Sequence, residues 1–128
     1  MNLLSLLFAT LPLAAPGETV SPQFHHALPN VEGKQLVSVV VDYPPGAKSK
    51  PHRHAPSAFL YAYVLAGSVR SQLEGEAAPK VYRTGEGWYE NPGAHHLVSE
   101  NASDTQPARL LAVFVVDANE TLTIPDTH

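Results

Sequence analysis

Pro44-Pro45-Gly46-Ala47-Lys48-Ser49-Lys50-Pro51-His52-Arg53-His54-Ala55-Pro56-Ser57-Ala58-Phe59-Leu60-Tyr61-Ala62-Tyr63-Val64-Leu65-Ala66-Gly67 joins a turn, a polar link, two histidines one residue apart and an apolar run of strand length. In extended backbone successive side chains point to opposite faces, so His52 and His54 share a face while Arg53 turns away. Two imidazoles at i and i+2 can reach one ion, a ligand spacing suited to a β-protein. A matching feature lies downstream in Tyr89-Glu90-Asn91-Pro92-Gly93-Ala94-His95-His96, where a tight turn precedes two more histidines and a new strand, Leu97 to Ser99. Three imidazoles from two hairpins can then converge.

The flanking sequence also reads as strands. Gln35 to Tyr43 is rich in β-branched residues and Phe59 to Leu65 is a continuous apolar run, so both are expected to be buried on two sides or nearly so. Val69 to Leu73 and Lys80 to Arg83 alternate apolar and polar residues around Glu74-Gly75-Glu76, a hairpin with one wet face. Arg109 to Val116 is a last long apolar strand, and Thr121 to Ile124 either adds an edge strand or stays loose. No segment keeps a helical period for three turns. Roughly eight short strands with frequent turns make an all-β sandwich or jelly roll.

The motifs make the expectation more specific. Gly46, five residues, His52-x-His54, a strand and Gly67 resemble the first motif of the cupin superfamily, and Gly85, six residues and Pro92-Gly93-Ala94-His95-His96 resemble the second. The resemblance covers about Leu36 to Val116 and implies a double-stranded jelly-roll barrel in a single domain. It places His96, rather than His95, in the ligand position beside His52 and His54, and it implies a homodimer. Where the family usually carries a glutamate after the second histidine, the window Ala55 to Tyr61 holds no carboxylate, and Leu60 or Phe59 stands near that place. An apolar residue there removes a negative charge from the ion and dries one wall of the cavity. The fourth group is left open between Glu90, Gln72, a tyrosine and water.

Working outward, 128 residues support one domain and one core. A net charge of −4 with eight scattered Lys and Arg makes no basic stripe, which argues against nucleic acid as a partner. Residues 1–15 hold an uncharged Leu-rich run too short for a bilayer span, which needs ~20 apolar residues, and read as a signal peptide for a periplasmic or secreted protein. The other reading is an apolar strand or helix packed on the domain or on a partner chain. In that division residues 16–34 are an N-terminal extension and 35–128 the cupin domain. The extension is punctuated by Pro, Gly and Ser, and its His25-His26 pair is expected in a solvated loop. Zero cysteines fit either compartment.

Three neutral imidazoles suit a divalent transition metal, with iron first and zinc, copper, nickel or cobalt also compatible, and disfavour the oxygen-seeking Mg and Ca. The expected function is a mononuclear metal-dependent dioxygenase-type oxidoreductase acting on a small chelating enol, diketone or phenolic substrate. A non-catalytic metal- or ligand-binding module, and a non-redox isomerase or lyase, share the same ligands. Glu90, beside the turn and placed at the barrel mouth, is the candidate proton acceptor. Tyr61, Tyr63, Trp88 and Tyr89 could line a pocket or pack the barrel, and Arg70 could steer an anion or sit on a solvated face. No G-x-S-x-G, P-loop, G-x-G-x-x-G or thiol nucleophile is present.

Overall fold

The alternation in the sequence resolves into ten strands among the described residues, 17–127, of a computed structural model. They are β1 (Thr19–Ala27), β2 (Lys34–Tyr43), β3 (His52–His54), β4 (Phe59–Ala66), β5 (Ser68–Leu73), β6 (Lys80–Arg83), β7 (Gly87–Glu90), β8 (His95–Asn101), β9 (Ala108–Asp117) and β10 (Thr123–Pro125). One sheet runs β1-β2-β9-β4-β7 and the other β10-β3-β8-β5-β6, with antiparallel ladders throughout. This is an all-β jelly roll, as expected. Residues 1–15, expected from the sequence to be a signal peptide, lie outside the described residues.

Period-2 alternation decides which side chains enter the barrel. Leu60, Ala62 and Val64 of β4 are buried, as are Leu110, Ala112, Phe114 and Val116 of β9, and with Val39, Val41 and Tyr43 of β2 they form most of the core. The alternate β4 residues face outward, and Phe59 and Tyr61 keep 41% and 46% of their surface exposed. The apolar run of β4 is therefore one-sided. Its outer aromatic residues had made it look buried on both faces.

The extension contributes more than a loop. Thr19–Ala27 pairs along β2, with a register shift between Pro22 and Phe24, so His25 and His26 lie on a strand, where both are exposed. Proline at Pro22 withholds a donor, which an edge strand tolerates. The punctuation that suggested irregular structure is the signature of an edge. At the other end of the chain, β10 pairs with β3, register Thr123↔His54 and Pro125↔His52, so the tail does add an edge strand.

Two turns aim the site. Asn91-Pro92-Gly93-Ala94 closes with Ala94 N–H donating to the Asn91 carbonyl at 3.1 Å, and Gly93 takes φ +74°, the conformation a type II turn requires at its third position. Gly67 has φ +69° between β4 and β5, and an added Cβ would stand 2.4 Å from the Pro107 carbonyl oxygen.

Candidate metal centre

His52 and His54 leave β3 on the same face, and the ladder sets His52 directly opposite His96 of β8. The three rings surround one point: centroids are 4.9 Å apart for His52 and His54, 5.2 Å for His52 and His96, and 6.2 Å for His54 and His96. One ring nitrogen from each lies within 4.8 Å of the others, a spacing that could hold a single ion. His54 and His96 are buried and His52 is half-buried.

Each ring has one nitrogen committed elsewhere. His52 Nδ1 contacts the Lys50 carbonyl at 2.7 Å, His54 Nδ1 the Leu122 carbonyl at 3.3 Å, and His96 Nε2 the Ser71 hydroxyl at 2.8 Å. A neutral imidazole carries one proton, and a carbonyl acceptor fixes it on Nδ1 of His52 and His54. With the His96 proton assigned to the nitrogen facing Ser71, His52 Nε2, His54 Nε2 and His96 Nδ1 keep lone pairs. Burial holds His96 down to about 4, with the neighbouring imidazoles acting in the same direction, and burial likewise lowers His52. Both are thus neutral near pH 7, the form in which imidazole binds a metal.

Glu90 is not at the barrel mouth. It follows Trp88 at i+2 on β7, faces inward with it, and is 1% exposed. Trp88 Nε1 donates to Glu90 Oε2 at 2.9 Å, while Oε1 lies 3.2 Å from His54 Nε2 and Oε2 lies 3.4 Å from His96 Nδ1. Oε1 has no hydrogen-bond partner. The removal of negative charge expected from the apolar Leu60 therefore does not occur, because a carboxylate reaches the same centre from another strand.

The remaining candidates separate cleanly. His95 points out of the barrel, its Nδ1 2.9 Å from Glu74 Oε1 and its Nε2 2.9 Å from Asp126 Oδ2. Gln72 bonds the Glu76 carbonyl in the β5–β6 turn, and Arg70 pairs with Glu100 at 2.6 Å. Of the aromatic residues, Trp88 lines the cavity, while Tyr61 and Tyr89 are exposed and Tyr89 stacks with Phe59. Leu60 faces the cavity and Phe59 does not.

The imidazoles and Glu90 line a cavity of about 770 Å³ that lies between the sheets. Its walls are largely apolar, among them Leu60, Ala62, Leu110, Ala112 and Phe114, and its exposed lining residues, including Val20, Lys48, Lys50 and Pro125, mark the open end. Three imidazole nitrogens and an orphaned carboxylate oxygen in a largely apolar cavity fit a divalent transition ion. Among the described residues, no helix is long and apolar enough to cross a membrane.

The sequence model of a family described as "Cupin domain" matches residues 39–114. Among solved structures, the chain is similar to an uncharacterized conserved protein with a double-stranded beta-helix domain from Klebsiella pneumoniae, at 17% identity and a TM-score of 0.66, covering 94% of this chain and 95% of that one. An oxalate oxidase in complex with the substrate analogue glycolate is 23% identical with a TM-score of 0.61, over 80% of this chain and 55% of its own. A variant of the Bacillus subtilis oxalate decarboxylase is 21% identical with a TM-score of 0.63, over 93% of this chain and 30% of its own. At these identities the likeness is one of fold. No curated protein matches the sequence.

Proposed function

This chain belongs to the cupin domain family, and we propose that within it the chain is a mononuclear metal-dependent oxidoreductase of dioxygenase type, acting on a small chelating enol, diketone or phenolic compound. One observation carries the reading: each of three histidines has one nitrogen fixed by a partner, and the other nitrogens converge at a cavity open to solvent. His52, His54 and His96 would hold the ion, with iron first and zinc, copper, nickel or cobalt also fitting the donors. When bound, such an ion supplies Lewis acidity toward an enol oxygen and, for iron or copper, chemistry with O₂.

The chain's own part is binding and orientation. Lys48 and Lys50 at the open end attract an anionic group, and the apolar walls exclude water, which strengthens each electrostatic contact inside. The Lys50 and Leu122 carbonyls hold the His52 and His54 rings at a fixed angle, so the donors need not reorganise when substrate enters. Outside the site, the residues 1–15 segment supports export to the periplasm or beyond. The exposed Phe24 of β1, 54% accessible, supports pairing with a second copy of the chain.

Metal analysis of protein purified without added metal, followed by O₂-electrode screening of β-diketones, flavonols and enolisable acids, tests the reading. About one iron or copper per chain with O₂ uptake is expected. Bound zinc without uptake, but with retained small-molecule binding, would replace it with the non-redox or non-catalytic alternative.

A further inference from the structure

We infer that Glu90 is the fourth ligand of the ion held by His52, His54 and His96, a carboxylate delivered from β7 of one sheet to a centre that β3 and β8 build on the other. The inference rests on the three-histidine metal reading and gives Glu90 a ligand's role in place of the proton acceptor's role expected from the sequence. Two lone pairs meet with no proton between them. His54 Nδ1 is committed to the Leu122 carbonyl, so the Nε2 that meets Glu90 Oε1 at 3.2 Å presents a lone pair to a lone pair. Glu90 Oε1 is sealed from solvent and has no hydrogen bond, while Oε2 is held by the Trp88 indole.

A buried carboxylate oxygen without a donor is costly unless a cation completes it. Anchoring Trp88 would need only Oε2, so that role leaves Oε1 unexplained. A proton acceptor would need an oxygen that substrate or water can reach. A cation held by the three converging imidazoles would meet Oε1 beside His54, and a small shift of Glu90 toward that trio completes a three-nitrogen, one-oxygen set typical of transition ions. The pairing also supplies a reason for the apolar window after His54. Leu60 is the direct ladder partner of Glu90 and both face inward, so one carboxylate from this strand pair is enough.

Titration of the metal-free full-length chain with Co²⁺, followed by its ligand-field absorption, tests the assignment in wild type, Glu90→Gln and His54→Ala. Wild type is expected to bind one ion and His54→Ala essentially none. Glu90→Gln should bind at least about 100-fold more weakly, beyond the usual ~10–100-fold of an outer partner, with a changed spectrum. Unchanged affinity, or weaker binding with the wild-type spectrum, would overturn the ligand role while leaving the histidines intact. If His54→Ala binds like wild type, the histidine reading itself fails and this one with it. Should Glu90→Gln not fold, a crystal of the wild-type chain soaked in Zn²⁺ decides: Oε1 at about 2.0–2.2 Å from the ion upholds the assignment, and a separation beyond about 3 Å overturns it.

Discussion

Leu60 and Glu90 face one another across the β4–β7 ladder, both turned into the barrel, one an apolar wall and the other the carboxylate nearest the three imidazoles. The pair is exchangeable in principle, since each Cβ leaves its strand toward the same cavity. Glu90→Leu combined with Leu60→Glu should bind Co²⁺ at least about tenfold more tightly than Glu90→Leu alone, roughly 1.4 kcal/mol. Equal affinity of the two variants in a Co²⁺ titration would show that only β7 can deliver the carboxylate.

The ligand histidines are separable from their neighbours. His52→Ala, His54→Ala and His96→Ala should each remove most of the bound metal, read by elemental analysis, whereas His95→Ala and His26→Ala should retain it. His95 is tied to Glu74 and Asp126 on the outside of the sheet, so its loss loosens a surface tether only.

The segment entering β10 positions a ligand, while β10 itself covers an edge. Leu122 O accepts from His54 Nδ1 and also from Ala55 N–H at 3.1 Å. Deleting residues 119–128 should lower metal affinity about 10–100-fold with β-sheet circular dichroism retained. Leu122→Ala, which keeps the carbonyl but removes packing, should cost affinity much less. Equal losses in isothermal titration would assign the effect to packing.

Tyr43 gives the alkaline limb of stability. Burial raises its phenol above 10, and its hydroxyl bridges Ser49 and Ser99 at 2.8 Å each. A folded-state pKa above the unfolded value means that the contribution is full below about pH 10 and is lost as pH rises through the folded pKa. Tyr43→Phe should remove one late-ionising phenol from a spectrophotometric titration. It should also cost about 1–3 kcal/mol in denaturant unfolding near neutral pH, because two hydroxyls lose their partner.

Gly87 bears the close approach of β7 to β4. A Cβ there would lie 2.2 Å from the Ala62 carbonyl oxygen, a backbone atom that cannot swing aside. Gly87→Ala should destabilise the fold by about 1–3 kcal/mol in chemical denaturation. It should also weaken metal binding, because the displaced strand carries Glu90.

The sequence made the barrel legible because its code is short-range. The β-branched run before Tyr43, the Pro-Gly turn at Pro92 and the i, i+2 spacing of His52 and His54 each specify local backbone, and the ladders follow. What escaped was set by register between distant segments. Glu90 looked like a residue beside a turn, and its burial became visible only with its phase relative to Trp88. That i, i+2 relation was the available signal: an inward tryptophan implies an inward glutamate. β1 was missed for the opposite reason, since an edge strand needs little apolar pattern and tolerates Pro22. The outward aromatic residues of β4 misled because apolarity reports the residue type and not the face it occupies.

His52, His54 and His96 belong to one sheet and Glu90 to the other, so an ion shared by all four would be a cross-link through the width of the barrel. β7 sits at the end of its sheet with only β4 as a ladder partner, which makes it a strand able to peel. Occupancy would then be recorded in time as well as in affinity. Hydrogen exchange at β7 amides should slow when the centre fills and quicken when a chelator empties it, while the β2–β9 ladder, far longer and paired on both flanks, keeps one rate in both states.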